Sequence, residues 1–356
     1  MPETKIGNLT DSAKYKVRGK TFTIIHFVKR TSFPTFASDL SCLPPSKGIR
    51  VGQESKKRLM NIVLKILRAL ADLPSSLRHT PHPRLIMTLL VKNEADILEQ
   101  NLLFHHRMGV DGFIVTDNCS TDNTSQIIKK YVEKGWIWEY IQEPSSGYEQ
   151  KKWVDRMIWI AKTRYRADWI INADADEFWY PSRENLKQEL SQTRANVLAA
   201  EVHNVCPEEG KPYWEWTSII REVPSLEEYD LSSYSIFSRH YKKVMHRAAG
   251  YIQISMGNHK VTMLPHHEKQ GCLHIFHYPV RGREHFMNKM INGGKQLETH
   301  QGKHGGRHWR YFYTLYKEGH LEQEYNRVVG LNCRERLIQD GFIIKDTRMQ
   351  QLFAGK

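Results

Sequence analysis

The chain has 356 residues, of which 40% are hydrophobic and 11% aromatic, with nine Trp. That composition excludes a disordered segment and supports one large core or a core domain with an appendage. The net charge of +13 is uneven: residues 1–80 hold 15 Lys+Arg against 5 Asp+Glu, while the remainder holds 37 against 34.

The basic excess therefore belongs to the N-terminal segment. A near-neutral body without an RNA-binding motif argues against a specific nucleic-acid partner. For the segment itself, an anionic partner (a membrane surface, a polyanion or an acidic protein) and a plain solvated face both remain open. The five Cys (Cys42, Cys119, Cys206, Cys272, Cys333) are scattered and form no CxxC pair. The first 20 residues are polar and basic, with no signal peptide visible, and no run of about 20 apolar residues is present. The expectation is reduced thiols, a cytoplasmic location and at most peripheral contact with the inner face of a membrane.

In chain order, residues 1–55 show weak periodicity, with a short strand expected near residues 21–28. Residues 56–73 read KKRLMNIVLKILRALADL. Arg58, Asn61, Lys65, Arg68 and Asp72 recur at spacings of 3 and 4, so they share one helix face, and nearly all the rest is aliphatic. Two readings are open: a helix lying on an anionic bilayer, or a helix packing its apolar face on the main domain. Residues 74–84 hold three prolines and read as a linker.

From residue 85 the pattern becomes regular. Strands are expected at 85–91, 113–117, 136–141 and 169–173. Helices are expected at 94–108 (with Asn93 as N-cap), from about 122 to 134, and at 148–166. Strands alternating with helices predict an α/β fold with a mainly parallel sheet, whose ligands bind at the carboxyl ends of the strands. The expected organisation is a basic N-terminal extension over 1–81, an α/β domain over 82–310 and a helical C-terminal tail over 311–356.

Three stretches at those strand ends carry chemistry. Asp174-Ala-Asp176-Glu177 follows the apolar strand at 169–173. Two carboxylates at i and i+2 suit one hard divalent cation, Mn²⁺ or Mg²⁺, which would offset the charge of a diphosphate. Asp117-Asn-Cys-Ser120-Thr121-Asp122 is a polar turn. In it Asp117 either contacts a nucleotide or tightens the turn, and Asp122 caps the next helix. Lys92-Asn93-Glu94 is another strand-to-helix turn. Glu94 there either bonds a ribose hydroxyl or serves the helix dipole.

Together these blocks resemble glycosyltransferase family 2 of the GT-A fold. The subgroup they resemble carries an Asn-Glu block (Asn93-Glu94, then Leu98, His106, Gly109-Val110-Asp111), an Asp-x-x-Ser-x-Asp-x-Thr block (Asp117 to Thr124) and Asp-x-Asp-Glu-Phe (Asp174 to Phe178). Farther on, His277-Tyr278-Pro279-x-Arg281, Phe286, Lys289 and Gly293 resemble its C-terminal block, although Gly282 stands where the pattern often has Ser. The resemblance spans residues 85–295. It implies a GT-A-type, Rossmann-like domain, a nucleotide-sugar donor, a divalent metal and usually inversion. Donor contacts would be Lys92, Glu94, Asp117, Asp174, Arg281 and Lys289, and metal ligands Asp174, Asp176 and His277. The acceptor would be a saccharide or a lipid-linked saccharide.

An inverting transfer also needs a general base, for which Glu268 and His259 are the first candidates, with Asp230 and Glu215 behind them. Residues 213–216 (Tyr-Trp-Glu-Trp) either stack on a sugar or belong to the core. The His- and Gly-rich run 300–310 is a possible lid. The competing readings are an inactive nucleotide- or glycan-binding protein of the same fold and, less well supported, a basic nucleic-acid binder.

Overall fold

The computed structural model describes residues 14–17, 20–23, 53–76, 78, 80–144, 149–299 and 306–355. The chain forms two compact units, Met1–Lys56 and Lys57–Lys356. In the first, β1 (Lys14–Val17) and β2 (Lys20–Thr23) pair antiparallel; the strand expected at 21–28 is described only to Thr23. The run at 300–305 also lies outside the described residues.

The second unit holds most of α1 (Gln53–Ala71) and all of α2 (Leu73–Ser76). The expected linker is not free: Asn196 Nδ2 donates to Ser76 O at 3.0 Å and Arg247 Nη1 to Arg78 O at 3.0 Å. Then follow β3 (Leu85–Val91), α3 (Leu98–Arg107), β4 (Gly112–Asp117), α4 (Thr124–Glu133), β5 (Ile137–Gln142), α5 (Gln150–Thr163), β6 (Trp169–Ala173), β7 (Glu177–Pro181), α6 (Leu186–Gln192) and β8 (Val197–Asn204). Next come β9 (Ser218–Ile220), β10 (Lys243–Arg247), β11 (Tyr251–Ile254), β12 (Val261–Met263), β13 (Glu268–Lys269) and β14 (Leu273–His277). The chain ends with α7 (Arg283–Thr299), α8 (Arg307–Lys317), α9 (Leu321–Val329), α10 (Arg334–Gln339), β15 (Ile343–Lys345) and α11 (Arg348–Ala354).

The central sheet runs β5-β4-β3-β6-β10-β8-β14-β7, with β13 beside β8. The first four are mutually parallel. β10 is antiparallel to both neighbours, and β14 is parallel to β8 and antiparallel to β7. β3 and β6 are mainly apolar and nearly every residue in them is buried; their polar residues satisfy each other, Thr88 Oγ1 donating to Asn172 Oδ1 at 2.8 Å. One core lies between the sheet and α3, β7 and α11; a second lies under α5, β11 and β12.

The expected C-terminal tail is part of the body. Met349 and Phe353 of α11 enter the first core, β15 pairs with β9, and α8 crosses the boundary expected at 310. Near residue 93 the reading also shifts. Asn93 is not a helix cap; it sits at φ 54°, and α3 starts only at Leu98, after a turn in which Leu98 N–H donates to Glu94 O at 2.9 Å. Tyr213 and Trp216 are buried around Tyr278, which settles their core role, while Trp214 is exposed.

Candidate active site

The loops after β3, β4 and β6 open together on a cleft of about 1700 Å³, closed on its other side by Tyr234, Met256 and helices α7 and α8. Two of these loops are stitched side by side. Ser120 Oγ accepts from Asn93 N–H at 2.9 Å, Asn93 Oδ1 from Thr121 N–H at 2.7 Å, and Thr124 Oγ1 from Glu94 N–H at 2.9 Å. Asp122 stands one residue ahead of the cap position, which Asn123 holds; its Oδ1 accepts from Thr124 N–H at 3.0 Å and its Oδ2 from Ala95 N–H at 3.1 Å.

The Asp174–Glu177 turn is pinned from beneath. Asn101 Nδ2 donates to Ala175 O at 2.9 Å and to Glu177 O at 2.8 Å, and Tyr278 N–H donates to Asp176 O at 2.9 Å. The pinning aims Asp176 inward and leaves Asp174 at the rim, 40% exposed. Lys243 of β10 bridges the turn, holding Asp174 Oδ2 at 2.9 Å and ion-pairing with buried Glu177. Burial works against the Lys243 charge, but the two carboxylates outweigh it and push its pKa up.

Asp176 is ringed by two cationic side chains and an imidazole. Lys289 Nζ lies 3.5 Å from Oδ2, Arg281 Nη1 3.7 Å from Oδ2, and His277 Nε2 3.6 Å from Oδ1. Burial alone would raise this carboxyl; the charges of Lys289, His277, Arg281 and Lys243 prevail and hold it well below the usual carboxylate range.

The tautomer of His277 follows from its neighbours. Asn204 Nδ2 donates to Ile236 O at 2.7 Å, so Asn204 Oδ1 is an acceptor and His277 Nδ1, 2.8 Å away, carries the proton. Burial lowers the His277 pKa to about 4, so near neutral pH Nε2 holds a lone pair. Asp176 Oδ1 is buried with no hydrogen-bond partner. Two acceptors thus face each other at 3.6 Å with no proton between them, the arrangement a cation satisfies. A histidine whose far nitrogen is fixed by a carboxamide is also the usual outer support of a metal ligand. The carboxylate oxygen suits Mn²⁺ or Mg²⁺, and the neutral imidazole beside it favours Mn²⁺ of the two, because Mg²⁺ prefers oxygen ligands. The residues fit the ion.

The other expected donor contacts divide. Lys92 lines the cleft and reaches Gln296 Oε1 at 3.0 Å. Arg281 lines it too, but its side chain is 1% accessible: Nη2 donates to Glu94 Oε2 at 2.6 Å, and Nε to Asp96 Oδ2 at 2.6 Å. Burial raises the Glu94 pKa even against Lys289 and Arg281, whereas Asp96, also buried in part, is lowered by its bonds to Arg281.

Asp117 does not reach the cleft lining. Its Oδ1 accepts from Ser120 N–H at 3.0 Å, and its Oδ2 from Ser125 Oγ at 2.8 Å and Tyr140 OH at 3.3 Å. The loop instead presents Asn118, Cys119, Thr121 and Asp122. Neither base candidate lines the cleft. Glu268 pairs with Lys242 on β13, and His259 Nδ1 bonds Lys242 O at 2.9 Å. Asp230 pairs with Arg327 at 3.0 Å and does not line the cleft either.

Sequence reasoning missed Lys243, Asn204 and Asn101. All three act across more than 60 residues of chain, and no local motif marks them. Asp96 was visible within the Asn93-Glu94 block and was passed over.

Comparison with known proteins bears on this arrangement directly. The sequence model of Glycosyl transferase family 2 matches residues 89–255, which hold the stitched loops and the Asp174–Asp176 turn. Nearly half of the chain thus resembles glycosyltransferase family 2. A glycosyltransferase family 92 protein of Ricinus communis is 22% identical over 203 residues, covering 54% of this chain and 35% of that protein. The lipopolysaccharide core biosynthesis glycosyltransferase LpsC of Rhizobium meliloti is 29% identical over 87 residues, covering 24% of this chain and 27% of its own. The chain thus spans about a third of the length of these curated relatives. Among solved structures, S. aureus TarS residues 1–349 aligns with 71% of this chain and 74% of its own at 16% identity and a TM-score of 0.34. The mannosyltransferase PcManGT of Pyrobaculum calidifontis, solved with GDP-Man and Mn²⁺, aligns with 85% and 88% at 12% identity and a TM-score of 0.32. The mainly parallel sheet with a cleft at its carboxyl strand ends is the arrangement expected from the sequence.

Proposed function

We propose that this glycosyltransferase moves a sugar from a nucleotide-diphosphate sugar to a saccharide or lipid-linked saccharide, with inversion, and that it uses Mn²⁺ or Mg²⁺. The setting that suits such an acceptor is the cytosolic face of a membrane. The observation that carries the reading is the buried Asp176 oxygen facing the His277 lone pair beside two cationic side chains. Asp176 and His277 would hold the ion, with Asp174 at the rim. The bound ion supplies positive charge to the departing diphosphate.

The chain's own residues do the rest. Lys289, partly accessible and charged, projects beside Asp176 and neutralises charge that grows on the leaving group. Arg281 is committed to Glu94 and Asp96; it fixes the loop after β3 against α7 and acts on the donor through that loop. Lys92 and the 118–122 loop line the side where a nucleotide enters, and Asp117 shapes that loop from behind. A cleft of about 1700 Å³ has room for donor and acceptor together.

Among the carboxylates lining the cleft, Glu94 and Asp96 pair with Arg281, Asp174 with Lys243, and Asp122 accepts from the Thr124 and Ala95 N–H groups. Glu284, exposed at the start of α7, has none of these ties. We assign it as the general base that takes the acceptor hydroxyl's proton.

The test is nucleotide release from UDP-, GDP- and dTDP-sugars with Mn²⁺, Mg²⁺ or EDTA, for the wild type and Asp176→Asn. Metal-dependent release from one nucleotide class, lost in the variant, is expected. Release indifferent to EDTA and to the substitution would overturn the metal site. Donor binding without turnover, whatever acceptor is added, would favour a non-catalytic binding protein.

A further inference from the structure

Helix α1 is mounted with its polar side inward. Its ionic residues and those of α5 form two matching seams. Lys65 Nζ lies 3.0 Å from Asp155 Oδ2, the Arg68 guanidinium sits 5.4 Å above the Trp159 ring, and Asp72 pairs with Lys162 while accepting from Gly250 N–H at 3.1 Å. Residues 65, 68 and 72 recur at helical spacing, as do 155, 159 and 162, so the register is specified by charge on both sides. The consequence is an exposed apolar face. Met60, Ile62, Val63, Leu64, Ile66, Leu67 and Leu70 are 37–56% exposed, and only Ala69 in this stretch is buried. A cluster of seven large aliphatic side chains facing water over three turns is not a scattered surface residue; such patches mark a surface that is covered in use.

We propose that this face of α1 docks on an anionic lipid bilayer, lying in the plane of the interface. No helix among the described residues is long and apolar enough to cross a membrane, so the contact is peripheral. Three observations select the bilayer. First, the ionic residues of the helix between 60 and 72 are engaged with the body, so insertion of the outer face desolvates none of them. Second, the basic excess of the whole chain is concentrated in the same segment, 15 Lys+Arg against 5 Asp+Glu in residues 1–80, and Lys56-Lys57-Arg58 immediately precede the stripe. Positive charge beside an apolar helix face is what anionic headgroups attract. Third, the same charge opposes a second copy as the occupant, because pairing two such helices would bring together two segments of net +10. The proposal is independent of the reaction assigned to the cleft.

The experiment sediments the full chain with vesicles of phosphatidylcholine alone and of phosphatidylcholine with a quarter phosphatidylglycerol. It uses the wild type and the double substitution Leu64→Gln/Leu67→Gln, which keeps helix propensity and adds no charge. Expected is binding to the anionic vesicles that weakens with salt, weaker binding to the neutral ones, and a loss of more than about tenfold in the variant. Thermal midpoint and nucleotide release should be unchanged in the variant. Failure of the wild type to bind anionic vesicles would overturn the proposal, as would binding that the substitution leaves intact. A change of oligomeric state in the variant would replace the bilayer with a second copy. A lowered thermal midpoint would replace it with residues 1–52 of this chain.

Discussion

Two turns at the carboxyl ends of the sheet look alike in sequence. One is Asp117 after β4 and the other is Asp174–Asp176 after β6, each placing carboxylate where an apolar strand stops. Their structures differ in how the oxygens are used. Asp117 gives both oxygens to its own surroundings, to Ser120, Ser125 and Tyr140. Asp176 keeps Oδ1 without a partner, although it is buried, and faces Lys289, Arg281 and His277 instead. An acid at a strand end is therefore a candidate for chemistry when the fold leaves its acceptor capacity unused. It is a structural residue when the local loop consumes that capacity. Lone buried acceptors are costly, and one is retained only where something else satisfies it.

The comparison breaks most sharply at the carboxylates themselves. Asp176→Asn should lower metal-dependent nucleotide release by more than about 10³-fold, since it removes the charge that the cation needs. Asp117→Asn should stay within about tenfold, because Asn retains one acceptor oxygen and the neighbouring hydroxyls can reverse their bonds. Equal losses in the two variants would erase the distinction. Next in size is Asn204→Leu. It removes the acceptor that fixes His277 Nδ1–H, and apparent Mn²⁺ affinity should fall about 10- to 100-fold. Manganese binding followed by electron paramagnetic resonance checks it, and an unchanged affinity would mean that the imidazole needs no orientation.

Acid stability sharpens the same picture. Burial lowers His105 and His285 to about 3, and His246 and His277 to about 4, so these rings stay neutral in the folded chain. The unfolded chain protonates them near pH 6.5. Their contribution is thus complete above that pH and is lost as pH falls toward 4, at up to about 1.4 kcal/mol per pH unit for each ring. The carboxyl of Asp176, held low by its cations, adds a loss of the same sign at still lower pH. Buried Glu177, raised to about 8, pulls the other way between pH 8 and 4.5, but the four rings outweigh it below pH 6.5, so urea midpoints of the metal-free protein should fall from pH 6 to pH 5. A flat profile would show that the rings are accessible to protons.

Much of this was legible in the sequence, and the reason is locality. Strand β3 was read to the residue and β6 likewise, because mainly apolar runs next to turn residues carry their own boundaries. Asp176 and His277 were singled out from blocks that resemble those of a known family. What stayed hidden depends on distant chain segments. The role of Asp117 turns on Tyr140, one strand over, and that of Arg281 on Glu94 and Asp96, some 185 residues away. The direction of α1 was also undetermined. Its stripe of polar residues fixes a helix, but only the complementary residues of α5 decide which face turns inward. Glu268 and His259 were named as base candidates from their position between two motifs, which says nothing about distance to the cleft, and neither lines it. Glu268 lies between them in sequence and pairs with Lys242 on β13.

The smallest expected effect tests the Asp117 side alone. Tyr140→Phe deletes a 3.3 Å hydrogen bond from the Tyr140 hydroxyl to Asp117 Oδ2 and leaves the 2.8 Å bond from Ser125 in place. The carboxylate keeps a strong donor on that oxygen, and Tyr140 is not fully buried, so water replaces much of what is lost. The cost should sit near the low end of the usual range, about 0.5 kcal/mol, read from the shift of the urea midpoint at constant slope. Donor turnover should be unchanged, because the Asn118–Asp122 lining is held by its bonds to the neighbouring loop as well as by Asp117. If nucleotide release instead fell by tenfold or more with stability intact, the Asp117 network would be tuning the nucleotide side of the cleft, and the carboxylate would belong to the chemistry after all.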